Sequence, residues 1–217
     1  MTSRLRFRWL QTGLLVLAFV FLGLWSWSHL ESRGFQSAES RRLEAALRDA
    51  ESDPRSASPA AFVVLPAPEP SKHAKEPGGV LGRIEIPRLH ITAIVAEGSD
   101  VKTLERAVGH ITSTALPGSP GNSALAGHRD TFFRGLGGVR VDDVIRIVTL
   151  ERTYTYRVEW SLVVEPRRVD VLDSTATRSL TLITCYPFAF VGHAPQRFVV
   201  RATQVDAVAG SVTPQVE

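Results

Sequence analysis

The chain has 217 residues, of which 44% are hydrophobic and 22% are charged, with a formal net charge of +3. This composition fits one globular domain of ordinary core size together with some non-globular sequence. The small positive excess comes from scattered arginines, without a basic stripe interleaved with aromatic residues, and this excludes nucleic acid as an expected partner.

The N-terminal residues predict a membrane anchor. Residues 1–8 form a basic tail with Arg4, Arg6 and Arg8. Residues 9–30 contain no Asp, Glu, Lys or Arg, and a helix over this run is long enough to cross a hydrocarbon core. Arginines just before a span keep the N-terminus in the cytoplasm. We therefore predict a single-pass protein of the cytoplasmic membrane whose remainder is extracytoplasmic. A cleaved signal peptide is the competing interpretation, but the apolar run is longer than a usual signal core.

Two segments separate this anchor from the folded part of the chain. Residues 31–53 are charged and rich in helix formers, which predicts a solvated juxtamembrane helix. Residues 54–79 contain six prolines among Ser, Ala and Lys, a composition typical of a semi-rigid extended linker. Residues 206–217 are predicted to be a C-terminal tail.

Residues 80–205 predict a mostly β domain. The expected strands are "GRIEI" and "HITAIVAEG", interrupted by Pro87, then "SALAGHR", "DVIRIVTL", "RTYTYRVEWSLVV", "SLTLITC" and "QRFVVRATQV". Residues 99–110 predict a short helix with Ser99 or Asp100 as its N-cap. Many short strands with one or two short helices indicate an antiparallel sandwich or a closed barrel, and periodicity alone leaves both open.

The single cysteine of the chain, Cys185, ends one of these strands. It has no partner for an intrachain disulfide, and the histidines lack metal-ligand spacing, so we expect no metal. A lone cysteine in a strand is commonly a small buried hydrophobe. An unpaired thiol outside the cytoplasm is a hazard, however, and Thr184 and Pro187 mark the strand end, where a reactive group meets solvent. The residues alone leave a buried and a catalytic cysteine equally open.

A catalytic cysteine needs an imidazole and an oxyanion donor. The candidate histidines are His110, His128 and His193, and His128 ends an apolar strand before a polar loop. Arg197 begins an apolar strand twelve residues after Cys185. If the last two strands are neighbours, these two residues lie at the same end of the sheet, which would make Arg197 the natural donor.

Two stretches carry a family resemblance. "ALAGHRDTFF" followed by "LTLITCYPFAFVGHAPQRFVV" resembles the sortases, in particular the class D kind, which are membrane-anchored cysteine transpeptidases of bacterial surfaces. The specific features are a strand ending in TLxTC, an Arg about a dozen residues later, and a preceding GH in an apolar run. "GRIEIP" and the "VGH" of residues 108–110 are also similar to the family, so the resemblance covers about residues 80 to 203.

The resemblance implies a closed eight-stranded β-barrel in which Cys185 is the nucleophile, His128 the acid/base and Arg197 the oxyanion donor. Thr184, Pro187 and the loop residue His193 are expected to lie beside the substrate. It further implies cleavage of an LPxTG-like sorting signal after Thr, near the C-terminus of an exported protein. The acyl group would then pass from a Cys thioester to an amine of a peptidoglycan precursor or a pilin lysine, without a cofactor.

Some family members bind calcium through a carboxylate cluster. Glu105, Asp130, Asp142 and Asp143 are available here, but no ligand spacing picks them out, so we interpret them as solvated loop carboxylates.

The rival functions belong to two classes, enzymes and binding modules. An L,D-transpeptidase is also an extracytoplasmic Cys/His/Arg β-protein, but its SHGC-type run is not what precedes Cys185, and a papain-like hydrolase would place its cysteine at a helix start. The chain could also be a non-catalytic anchored β-module that binds a surface polymer.

Overall fold

The structure is a computed structural model that describes residues 2–52, 76, 78–189 and 192–205. The predicted tail, 206–217, and most of the predicted linker, 54–79, lie outside the described residues.

Eight strands close into a barrel in the order β1-β2-β3-β4-β7-β8-β6-β5, with β5 pairing back to β1. They are β1 (Val80–Ile86), β2 (Ile91–Glu97), β3 (Val108–His110), β4 (Asn122–Ala126), β5 (Val144–Val148), β6 (Thr153–Val164), β7 (Ser179–Tyr186) and β8 (Gln196–Val205). Short 3-10 turns cover Pro87–Leu89, Leu136–Gly138 and Val169–Leu172. The mostly β class and the closed barrel are confirmed, and the sandwich is not what forms.

The barrel interior is filled by alternate residues of each strand, as a period of two requires. In β6, Tyr156 and Val158 are 1% and 2% exposed and belong to the main core. The pairing of β6 with β8 shifts between Val158 and Trp160, and this irregularity turns Trp160 toward a smaller cluster outside the barrel. There the guanidinium of Arg201 lies 5.5 Å from the Trp160 ring. The sequence alternation therefore predicts the first half of β6 and not the second.

Helix α2 (Val101–Arg106) confirms the predicted short helix and selects its cap. The Asp100 side chain accepts hydrogen bonds from the backbone N–H groups of Lys102 and Thr103, which have no partner within the first turn. Ser99, the alternative cap, is therefore not the N-cap residue.

Helix α1 (Thr2–Ser52) runs through the predicted basic tail, anchor and juxtamembrane helix. Among the described residues, no helix combines the length and the hydropathy that crossing a bilayer requires.

The second half of α1 packs on the barrel, which corrects the expectation of a solvated juxtamembrane helix. The Gln36 side chain donates to the Arg106 carbonyl at 2.7 Å and accepts from the Ile94 N–H at 2.8 Å. Leu43, seven residues later and so on the same helix face, is 5% exposed. Glu44 forms a 3.0 Å ion pair with Arg83 of β1. The many charged residues of this segment indicated a solvated helix and gave no sign that one narrow face packs on the barrel.

An ion pair between a buried carboxylate and an exposed guanidinium fixes the loop that enters β5. The carboxylate of Asp143, 8% exposed, accepts hydrogen bonds from the Arg88 guanidinium and from the Arg140 N–H. The hydrogen bonds and the charge of Arg88 hold the pKa of Asp143 below its ordinary value. Asp143 is thus not the solvated loop carboxylate expected from the sequence, whereas Glu105, Asp130 and Asp142 are exposed.

Replacing Asp143 with Asn should lower the melting temperature at pH 7. The folded-state pKa of Asp143 is depressed, so its stabilisation is complete above the unfolded value of about 3.9 and is lost as the pH falls through the folded value. The difference in melting temperature between the two proteins should therefore shrink below about pH 4.

Thermal melts at pH 7, 5 and 3 measure this effect. Asp170→Asn is the matched control, because both side chains of its ion pair with Arg168 are more than half exposed. Solvent screens such a pair, so it contributes little to the stability of the fold. A difference for Asp143→Asn that is the same at all three pH values would show that its charge is not what stabilises the loop.

Candidate active site

The register of β7 with β8 places Cys185 directly opposite Arg197. The two strands are antiparallel, and Cys185 is the penultimate residue of β7 while Arg197 is the second residue of β8. The predicted neighbourhood of the last two strands is therefore confirmed, and both side chains lie at one edge of the barrel.

His128 reaches the same edge because β4 runs parallel to β7. Ala126 pairs with Ile183, and the ladder continues with the Gly127 N–H donating to the Ile183 carbonyl at 3.1 Å. Parallel strands have their carboxyl ends at the same edge of a sheet, so His128 emerges beside Cys185. A side chain at Gly127 would place its Cβ 2.8 Å from the buried Phe133 ring, so glycine permits this close turn.

These residues surround one pocket of about 200 Å³. Its lining consists of His128, Arg129, Asp130, Cys185, Gly192, His193, Ala194 and Arg197. Cys185 carries a free thiol and is partly exposed, while His128 and His193 are exposed. The structure thus brings together the three predicted catalytic residues and His193, and Cys185 is not a sealed core residue.

Arg197 is held in place by backbone carbonyls at the start of β8. Its Nη1 donates to the Ala194 carbonyl at 3.2 Å and to the Gln196 carbonyl at 2.9 Å. A guanidinium has five N–H donors in a fixed plane, so these bonds orient the group while Nε and Nη2 carry the remaining donors. An oriented cation next to a thiol can stabilise a negative oxygen that forms during attack.

Two of the residues expected beside a substrate have other positions. Thr184 is 2% exposed and its hydroxyl donates to the Gly127 carbonyl at 2.7 Å, so it lies beneath the pocket and not on its surface. Pro187 does not line the pocket either, and its carbonyl accepts a hydrogen bond from Arg129 at 2.8 Å. Both residues hold parts of the site together, which the sequence position next to Cys185 did not reveal.

His110, the third candidate histidine, is a core residue. It is 1% exposed, its Nδ1 lies 2.8 Å from a Glu97 carboxylate oxygen, and its Nε2 lies 3.0 Å from the Ala115 carbonyl. Both ring nitrogens are therefore satisfied between β2, β3 and the following loop, and His110 is not part of the pocket.

Sequence reasoning missed Arg129 as a member of the site. It follows His128 in the loop after β4 and its guanidinium crosses to the segment between β7 and β8, donating from Nη2 to the Gly192 carbonyl at 3.1 Å. Its position directly after a candidate catalytic histidine was a usable signal. Asp130, considered before only as a possible calcium ligand, also lines the pocket.

Thr184→Val should destabilise the fold and disturb the pocket. Valine has nearly the same shape but cannot donate, so the Gly127 carbonyl beneath His128 loses its buried partner, at a cost of about 1–3 kcal/mol in the free energy of unfolding. Denaturant unfolding measures this change. Thr184→Ser is the matched control, because it keeps the hydroxyl, and equal destabilisation by both variants would contradict the role given to the hydrogen bond.

Comparison with known proteins supplies the family. A model of the sortase domain matches residues 84–205, which is more than half of the chain. Sortase D of Bacillus subtilis (strain 168) is 33% identical over 131 residues, covering 60% of this chain and 66% of that protein. Sortase SrtE1 of Streptomyces coelicolor is 31% identical over 195 residues, covering 81% of this chain and 50% of that protein. The chain thus spans between half and two thirds of the length of these curated relatives.

Solved structures agree with the sequence relatives. The sortase D5 transpeptidase of Clostridium perfringens has a TM-score of 0.56 and 30% identity, covering 60% of this chain and 82% of that one. A Clostridium perfringens sortase C solved with the C-terminal cell wall sorting motif has a TM-score of 0.56 and 31% identity, covering 60% of this chain and 73% of that one. With the family model matching residues 84–205 and curated relatives above 30% identity, the chain belongs to the sortase family.

Proposed function

We propose that this chain is a cysteine transpeptidase that cleaves an LPxTG-like sorting signal after its Thr and transfers the acyl group to an amine. The observation that carries this proposal is the convergence of Cys185, His128 and Arg197 on one pocket at a single barrel edge. The sortase C structure solved with a sorting motif supports a peptide of this class as the substrate.

In the proposed first step, the Cys185 thiol passes its proton to His128, and the thiolate attacks the Thr carbonyl carbon of the sorting signal. The carbonyl oxygen becomes an oxyanion, to which the Arg197 guanidinium donates hydrogen bonds. His128 gives a proton to the departing amine nitrogen as the peptide C–N bond breaks. The Thr acyl group remains on the sulfur as a thioester.

In the second step, an acceptor amine attacks the thioester carbon. His128 takes the proton from that amine, the C–S bond breaks, and the new amide leaves with the thiolate restored. The thioester keeps the acyl group activated, so the transfer needs neither ATP nor another cofactor. Arg197 suits the oxyanion role because a guanidinium stays charged at every relevant pH.

We infer that the acceptor is an amine of the cell envelope, from a peptidoglycan precursor, or a pilin lysine. The donors are exported proteins that carry the signal near their C-terminus. Mass spectrometry of the products formed from a small library of pentapeptide signals, with and without an amine acceptor, identifies the signal and separates transfer from hydrolysis.

Cys185→Ala should abolish the covalent intermediate with a sorting-signal peptide while leaving the fold intact. His128→Ala and Arg197→Ala should each lower turnover by at least about a hundredfold, because each removes one acid/base or oxyanion contribution. Intact-protein mass spectrometry detects the thioester, and peptide turnover gives the rates.

His193→Ala is the matched control for kcat alone, since His193 lines the same pocket, where a lost substrate contact would raise KM, but has no step in the proposed mechanism. A thioester that survives Cys185→Ala would refute the nucleophile, and a near-normal rate would remove His128 or Arg197 from the chemistry. If Cys185→Ala keeps full function, the chain is better interpreted as a non-catalytic binding module. Turnover of a peptidoglycan stem peptide in place of a sorting signal would favour the L,D-transpeptidase alternative.

We also propose that residues 9–30 anchor the protein in the cytoplasmic membrane with the barrel outside. The support is the uncharged run and the arginines directly before it. A C-terminally fused reporter enzyme that is active only outside the cytoplasm should therefore be active. Replacing Arg4, Arg6 and Arg8 with glutamine should lower the fraction of molecules in this orientation. Activity of a C-terminal reporter that functions only in the cytoplasm would overturn the proposed orientation.

A further inference from the structure

Arg129 joins two loops across the mouth of the pocket. Its Nη1 donates to the Pro187 carbonyl at 2.8 Å and its Nη2 donates to the Gly192 carbonyl at 3.1 Å. Pro187 lies two residues after Cys185, and Gly192 lies directly before His193. One side chain therefore ties the turn that carries His128 to both sides of the segment that connects β7 and β8.

The described part of this segment is held by the packing of Phe188 on the core and by side-chain donors to its carbonyls. Among the described residues, the backbone ladder between β7 and β8 reaches Tyr186 paired with Gln196 and goes no further. Beyond that pair, the carbonyls of Pro187 and Gly192 find their donors in Arg129, and the Ala194 carbonyl finds its donor in Arg197. Charged side-chain donors therefore orient the backbone of this segment at three carbonyls on the side that faces His128.

The chemistry of the link requires a guanidinium. Its two Nη groups diverge in one rigid plane and reach two carbonyls at once, whereas a lysine ammonium is a point donor on a flexible stem. We propose that Arg129 is a positioning residue that fixes the β7–β8 segment against the His128 turn, so that the peptide is held correctly between His128 and Cys185. This inference rests on the proposed transpeptidase function.

The functional experiment compares Arg129→Met and Arg129→Lys with the full-length wild-type chain. A displacement of about 1 Å at a reacting centre can lower a rate a hundredfold, so kcat/KM for the peptide should fall about ten- to a hundredfold in Arg129→Met, with partial recovery in Arg129→Lys. Alkylation of Cys185 by iodoacetamide should keep its wild-type rate, and the pH profile of kcat/KM should keep its shape. Arg134→Met, an exposed arginine of the same loop outside the pocket, is the matched control.

A second readout does not depend on turnover. The NMR order parameters of the Gly192 and His193 amides should fall in Arg129→Met from the ordered value of about 0.85 toward about 0.6, and stay unchanged in Arg134→Met. Unchanged order parameters in Arg129→Met would overturn the positioning role. If the wild-type chain forms no thioester, only the proposed function fails, because the order parameters still test the positioning role. Slower alkylation in Arg129→Met would also overturn it, because the guanidinium would then act on the thiol itself.

Discussion

The candidate site depends on the hydrogen-bonded register of β7 between two neighbours of opposite direction. The antiparallel ladder with β8 sets Cys185 against Arg197, and the parallel ladder with β4 brings His128 to the same edge. Side chains alternate between the two faces of a strand, so a slip of one residue would exchange Cys185 for Thr184 on the face that carries the pocket. The buried core that fixes this register is therefore as necessary to the site as the three side chains themselves.

The same alternation explains which neighbours of Cys185 belong to the barrel interior. Leu182 is fully buried in the main core, and Thr184 follows it on that face, whereas Ile183 and Val199 pack in the outer cluster. Cys185 shares the face of Ile183, so it lies on the outer side of the sheet, where loops can form a pocket around it. Thr184, adjacent to Cys185 in sequence, is for this reason on the wrong face to contact a substrate in the pocket.

Much of this arrangement could be predicted from the sequence, and the failures share a physical cause. Strand alternation predicted a mostly β domain and the family resemblance selected the barrel. The spacing from Cys185 to Arg197 predicted their juxtaposition on the condition that the last two strands are neighbours. The docking of α1 through Gln36, the irregularity that turns Trp160 outward and the link made by Arg129 depend on contacts between residues distant along the chain. No local pattern encodes the partner of such a contact, and tertiary packing overrides the local preference.

At the barrel edge, backbone carbonyls at and beyond the ends of the strands still need donors. Thr184 satisfies the Gly127 carbonyl, Arg129 satisfies those of Pro187 and Gly192, and Arg197 satisfies those of Ala194 and Gln196. Hydrogen bonds from charged donors are stronger than those between neutral groups, so they add to the order that the packing of Phe188 and the burial of Ala194 already give the segment between β7 and β8. In the proposed mechanism the departing amine must leave and the acceptor amine must enter while the acyl group stays on the sulfur. A pocket that is open to solvent but has side-chain-braced walls meets both demands, because exchange needs access and each attack needs a fixed geometry.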